Sequence, residues 1–236
     1  MTRMQRRGIR DGVVTGIMGA EWAVPHHLTK PGIRMPHILE PSPTRRHILN
    51  LRWLSAADIA ACSSMADMVE AMRHAFEAFS SGHALAPVRT ALQLPEGTTL
   101  TMPAALPQVG TTAVKIVSVY PSNPERALPA VLGIVAVLDA ATGEPLALMD
   151  GTYLTGYRTG AASGLATDLL ARQDSRVLAL IGAGYQARFQ AEAVLAVRSI
   201  EEVRVYSRNP EHRDRFVAEL ATLLAADGPA VRSVST

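Results

Sequence analysis

The sequence predicts an α/β chain in two unlike parts, an α+β domain followed by an incomplete doubly wound domain. Three patterns carry this. Residues 48–150 hold several short strand-like runs around one helical stripe, and residues 151–176 form a helical stretch rich in small residues. From Val177 a wholly apolar run meets Gly182-Ala183-Gly184 and a further helical stretch, the order of a β-α-β unit. Hydrophobic residues make up 48% and charged residues 19% of the 236, enough for a core and too little charge for disorder. The longest apolar run, Val131 to Leu138, falls far short of the ~18 residues of a membrane span and reads as a buried strand. A single cysteine excludes a disulfide scaffold and a cysteine-built zinc site, and no metal centre is expected. A net charge of +2 is not the footprint of a nucleic-acid binder.

The charge is uneven. Residues 1–47 hold eight Lys/Arg against three Asp/Glu, a balance of +5, and the rest hold fifteen against eighteen, a balance of −3. The first 47 residues also carry five prolines and four histidines (His26, His27, His37, His47) without carboxylates at ligand spacing, so an irregular leader is expected there. Asp11 and Glu21 interrupt any apolar core of a signal peptide, so a cytoplasmic location is expected.

The elements then follow in order. Ile48 to Leu54 alternates as a first strand, and Ser55 caps a helix over Ala56 to Ala61. Met65, Met68, Val69, Met72, Ala75, Phe76 and Phe79 fall at helical spacing, and Gly82 stops that helix. Thr98–Met102, Ala113–Val119, Leu132–Asp139 and Pro145–Met149 read as strands of an antiparallel sheet, with a Thr142-Gly143 turn between the last two. Tyr153 to Leu170 is helical, with small residues that permit close packing. Val177 to Ile181 reads as a strand covered on both faces. A helix to about Val197, a strand Val203–Tyr206, a helix from Pro210 to about Ala226 and a strand near Val231 follow.

Gly182-Ala183-Gly184-Tyr185-Gln186-Ala187 fits the G-x-G-x-x-G/A fingerprint of a dinucleotide site. The first glycine permits the tight turn, the second admits a pyrophosphate to the backbone, and the small last residue lets helix and strand pack closely. The preceding strand, the helix it opens and the second strand supply the required context. An acidic residue at the end of the second strand would bind a ribose 2′-hydroxyl and repel a 2′-phosphate. Ser207-Arg208-Asn209 stands there instead, which favours NADP(H) over NAD(H).

Two more cations stand out. The only lysines are Lys30 and Lys115, and Lys115 sits inside the apolar run Ala113-Val114-Lys115-Ile116-Val117. An ammonium there is costly unless it is paired or faces a site, and a compact donor suits a carboxylate or an imine. Arg158, in the small-residue helix, offers a planar fork for an anion, with a surface ion pair as the alternative. Arg89, in Ala86-Pro87-Val88-Arg89-Thr90, carries no signal of its own.

Together these stretches resemble the ornithine cyclodeaminase/mu-crystallin family. The resemblance rests on Leu138-Asp139, Gly143-Glu144-Pro145, Asp150-Gly151, Leu154-Thr155, Arg158-Thr159 and Gly182 to Arg188, with Pro87-Val88-Arg89-Thr90, Met102-Pro103 and Lys115 upstream, and spans about residues 48–236. It implies that Arg89, Lys115 and Arg158 clamp a substrate carboxylate, with Lys115 at the catalytic centre. It also implies that Arg158, Thr159, Gly182, Ala183, Gly184, Tyr185 and Gln186 lie along the cofactor, with Ser207, Arg208 and Asn209 at the adenosine ribose. The resulting layout is a leader 1–47, a substrate and dimerisation domain 48–150, a connecting helix 151–176 and an incomplete Rossmann-type dinucleotide-binding domain 177–236. The implied partners are a small amino or imino acid and a second copy of the chain, in a homodimer joined through the first sheet. At ~30 residues per βα unit, Val177 to Thr236 holds about two units. The chain therefore reads as a C-terminally truncated member whose catalytic aspartate would lie in the missing part, and whose own activity is in doubt. The chemistry implied is reduction of a cyclic imino acid such as pyrroline-2-carboxylate. Ornithine cyclodeaminase and alanine-dehydrogenase-like reactions, and a non-catalytic NADPH- or ligand-binding role, stay open beside it.

Overall fold

The computed structural model describes residues 51–224 and 228–235. The expected leader, its histidines and the start of the expected first strand lie outside them. β1 (Arg52–Leu54) leads into α1 (Ala56–Cys62) and α2 (Met65–Ser80). Each helix opens with a capping box, Ser55 with Asp58 and Ser64 with Asp67. Beyond α2, Gly82 takes the left-handed φ of 75° that turns the chain away.

β2 (Thr90–Leu94), β3 (Gly97–Leu106), β4 (Thr111–Val119), β5 (Val131–Asp139) and β6 (Pro145–Asp150) complete a six-stranded sheet of order β1-β6-β5-β4-β3-β2. The expectation of a wholly antiparallel sheet is corrected at one edge, where β1 pairs with β6 in parallel. β1 is followed by two helices rather than a hairpin, which frees it to run the same way as β6. β2 has no counterpart among the expected strands. It is a short edge strand, exposed throughout, with no buried face to impose an alternating pattern. The expected Thr142-Gly143 turn is present: the Asp139 carboxylate accepts from the Ala141 and Thr142 amides and the Thr142 hydroxyl, and Gly143 has φ 72°.

α3 (Gly151–Leu170) starts two residues before the expected Tyr153, because Asp150 caps it by accepting from the Tyr153 amide. Its apolar side packs Leu154, Tyr157, Ala161 and Leu165 on Val135, Val137 and Met149 of the sheet and on Met68 and Met72 of α2.

The second unit runs β7 (Val177–Ile181), α4 (Tyr185–Val197), β8 (Glu202–Tyr206), α5 (Pro210–Leu223) and β9 (Ala230–Ser233). Its strands form a parallel sheet in the order β7-β8-β9, the first half of a Rossmann-type sheet. α5 ends at Leu223, short of the expected Ala226, which lies outside the described residues. Both helices cover one face, where Leu180, Ala191, Val203, Val205, Phe216 and Leu220 are buried together. The expectation that β7 is covered on both faces is corrected: Leu180 is 8% exposed, but its neighbour Ile181 is 87% exposed. An apolar run has the same spelling whether one face is covered or two.

The units meet where α3 and α4 lie side by side in the same direction. A Cβ on Gly156 would stand 2.4 Å from the Phe189 ring, one on Gly160 2.3 Å from the Phe189 carbonyl oxygen, and one on Gly164 2.9 Å from the Ala193 carbonyl oxygen. The backbones touch through these three glycines, and Phe189 of α4 is buried in the core of the first unit. In an open helix Gly→Ala stabilises by about 1 kcal/mol. Here the sign should reverse: Gly160→Ala should cost about 1–3 kcal/mol through overpacking. Urea unfolding checks this, and a more stable variant would contradict the packing.

Candidate functional site

Strand alternation places Lys115 on the covered side of the sheet. Ala113, Lys115 and Val117 of β4 are buried, and Ile116 between them is exposed on the far face. Lys115 stands between Met102 of β3 and Val135 of β5, and Val135 is fully buried beneath α3. Burial pushes the Lys115 ammonium down to about 8, and the positive charges of Arg158 and then Arg89 push it the same way. These three cations, one each from β4, α3 and the residue preceding β2, therefore share one neighbourhood. Thr90 pairs with Thr101, so Arg89 precedes β2 at the end of the row that holds Met102 and Lys115.

Arg158 is only partly exposed, and burial alone lowers its pKa. Its Nε–H is buried without a hydrogen-bond partner. A buried guanidinium N–H left open costs free energy unless a ligand takes it. The surface-ion-pair alternative does not describe this nitrogen. An anion accepting from Arg158 beside the Lys115 ammonium would relieve the orphaned donor and the crowding of like charges together.

The glycine loop sits at the end of β7. Gly182 has φ 113°, and its N–H donates to the Tyr206 carbonyl at 2.7 Å, closing the loop onto β8. Gly184 is the N-cap of α4 with no side-chain cap, and the space where Gly182 and Gly184 would carry a Cβ is open. First-turn amides of α4 thus face an open, uncapped cradle, which fits a pyrophosphate. Ala183 and Ala187 pack on the second core beneath it. Gln186, in the first turn of α4, has its Oε1 buried without a partner, a second orphan on the helix that packs against Arg158's own.

The other expected residues divide. The Tyr185 hydroxyl donates to the Thr152 carbonyl at 3.3 Å and its ring stacks edge-on to Phe189, so its side chain joins α4 to α3 and leaves its backbone to the loop. Thr159 donates to the Thr155 carbonyl within α3. Asn209 caps α5 by accepting from the His212 amide. Ser207 and the exposed Arg208 follow directly on Tyr206, the residue that receives the glycine loop. One cluster has no counterpart among the expected residues: Asp168 takes Arg73 from α2 and Arg198 from the end of α4, partners 95 and 30 residues away, a separation that leaves no motif to read.

Known proteins share this architecture. A Delta(1)-pyrroline-2-carboxylate reductase of Bacillus cereus is 40% identical over 165 residues, covering 69% of this chain and 51% of that protein. The structure of Thermococcus litoralis Delta(1)-pyrroline-2-carboxylate reductase in complex with NADH and L-proline superposes with a TM-score of 0.74 at 41% identity, covering 79% of this chain and 57% of that one. An archaeal alanine dehydrogenase dimer with bound NAD superposes with a TM-score of 0.71 at 34% identity, covering 78% and 56%. The chain spans about half the length of the curated relatives it matches. The family correspondence itself runs over residues 51–235, from β1 through β9. The chain belongs to the ornithine cyclodeaminase/mu-crystallin family.

Proposed function

We propose that this chain carries the carboxylate clamp and the dinucleotide cradle of a cytoplasmic reductase that acts on a small cyclic imino acid such as pyrroline-2-carboxylate. The carrying observation is the cation group of buried Lys115, half-buried Arg158 and exposed Arg89, with the Arg158 Nε–H unpartnered. The Bacillus and Thermococcus relatives bear the name of that reaction, and the latter is described with L-proline bound. A reduced nicotinamide, when bound, supplies hydride to the imine carbon.

The chain's own residues do the rest. Arg158 and Arg89 hold the carboxylate, and the Lys115 ammonium donates to the carboxylate or the imine nitrogen. Amides after Gly182 and Gly184 receive the pyrophosphate. Residues 48–150 serve as the substrate unit and 177–236 as the dinucleotide unit, with 151–176 joining them. A homodimer through the uncovered sheet face fits the exposed Trp53, Leu92, Ile116, Leu132, Ile134 and Leu146. Light scattering at twice 25.2 kDa supports it, and a monomer counts against it.

The site predicts its own pH dependence. Lys115 is charged below about 8 and neutral above it, so a carboxylate ligand should bind well at lower pH. Its affinity should fall by up to about tenfold per pH unit above that point. Lys115→Met should abolish this step. It should also lower kcat/KM with pyrroline-2-carboxylate by ~2–5 kcal/mol of transition-state binding, with NADPH affinity held within about threefold. NADPH consumption and nucleotide fluorescence measure both. A Lys115→Arg variant with near-normal turnover would sink the assignment, and ligand binding without turnover would favour a non-catalytic binding role.

We further propose a preference for NADPH over NADH. Arg208 can pair with a 2′-phosphate, and no carboxylate stands among the three residues directly after Tyr206 to oppose it. A charge-assisted contact is worth ~1.5–3 kcal/mol, so Arg208→Ala should weaken NADPH by roughly ten- to a hundred-fold and leave NADH nearly unchanged. Tighter binding of NADH by the unaltered chain contradicts this.

A further inference from the structure

Arg198 is the one buried arginine among the described residues, and nothing in the proposed chemistry uses it. Its side chain is only 3% exposed. It is the C-cap residue of α4, and its guanidinium reaches across to the end of α3. That end needs help: α3 stops at Ala171 in extended backbone, with no basic residue in its last turn. The Thr167 carbonyl accepts from the Ala171 amide, and helix geometry leaves the carbonyls after it without helical donors. Arg198 Nη2 donates to the Thr167 carbonyl at 2.9 Å, the Asp168 carbonyl at 2.9 Å and the Ala171 carbonyl at 3.0 Å. Its Nε donates to the Arg172 carbonyl at 3.3 Å. Its Nη1 donates to the Val197 carbonyl at 2.7 Å and to Asp168 Oδ1 at 3.2 Å. The second Asp168 oxygen accepts from Arg73 of α2 at 2.8 Å.

The electrostatics explain why a cation stands here. α3 and α4 run in parallel, so their negative ends lie side by side and repel, and one guanidinium between them offsets both. A lysine has no planar fork to serve so many acceptors. From this clasp the lever is long. Arg158 lies ten residues back along α3, about 15 Å, and Gly184 fourteen residues back along α4, about 21 Å at 1.5 Å per residue. A tilt of about 5° at the clasp would move the glycine loop by about 2 Å relative to Arg158, and errors of about 1 Å can cost a hundredfold in reactivity.

We propose that Arg198 is a positioning residue: by clamping the paired ends of α3 and α4 it sets the gap between the glycine loop and the cation row at their other ends. The role rests on the proposed function, because it assumes that both ends bind parts of one reacting pair. Two readouts in the full chain test it. Spin labels on Cys62 in α1 and on a Glu219→Cys variant in α5 report the distance between the units. The affinity of L-proline with and without NADPH reports how strongly the two sites are coupled.

The unaltered chain should give one narrow distance distribution. Arg198→Met should broaden it and cut the coupling at least about fivefold, while each ligand alone binds within about threefold of normal. Arg198→Lys should rescue part of the loss. If Arg198→Met does not fold, Asp168→Asn serves, and should show a smaller change of the same sign. A folded variant with unaltered distances and coupling overturns the proposal. An unaltered chain that binds neither ligand, with distances that still respond to Arg198→Met, overturns the site reading and with it the positioning role.

Discussion

The contact between α3 and α4 is the constraint on which the rest of the molecule depends. Two helices can approach until backbone meets backbone only where one presents no side chains. Gly156, Gly160 and Gly164 give α3 such a stripe, and Phe189 and Ala193 of α4 fill it. The contact is fastened at three levels. The Tyr185 hydroxyl reaches the Thr152 carbonyl near the N-terminal ends, the glycines lie in the middle, and Arg198 closes the C-terminal ends. Phe189 carries α4 into the core of the first unit, so the three-stranded sheet is tied to the six-stranded one by packing as well as by the linker. The parallel orientation has a functional corollary. Both positive helix ends lie toward the cations and the glycine loop, and both negative ends lie at the clasp.

That orientation suits the anion site proposed for Lys115, Arg158 and Arg89. Lys115 is held at about 8 by burial and by two like charges, and the Arg158 Nε–H is left open. Such a cluster costs folding free energy on its own. The fold tolerates the cost because its apolar surroundings are well filled: Val135, Val137, Met149 and Met72 are each 2% exposed or less. The sheet thus supplies a rigid floor under α3, and the charge is placed where a carboxylate would relieve it.

Much of this is legible in the residues. A lysine in an otherwise apolar strand, in a chain that uses arginine almost everywhere else, marks Lys115. The glycine loop is legible because its spacing, its preceding strand and its following helix agree. The small residues of α3 announce close packing but not the partner, since Phe189 lies beyond the loop that brings it back. Arg158 is ambiguous because a helical arginine looks the same in sequence whether it faces solvent or a cavity. The parallel pairing of β1, the bare face of β7 and the Arg73–Asp168–Arg198 cluster depend on where distant segments land, and no local pattern encodes that. β2 escapes for the opposite reason: an exposed edge strand has no buried face to write a pattern.

The central claim is that α3 and α4 form one packing unit that fixes the proposed anion site against the proposed dinucleotide cradle. Native-state hydrogen exchange across increasing denaturant tests it most directly, because amides in one cooperative unit share one opening free energy. The account predicts that the slowest amides of α4 around Phe189 to Ala193 converge with those of α3 around Gly160 to Leu165 on a single isotherm. If α4 opens at a clearly lower free energy than α3, with a separate denaturant dependence, the two helices are not one unit and the claim fails.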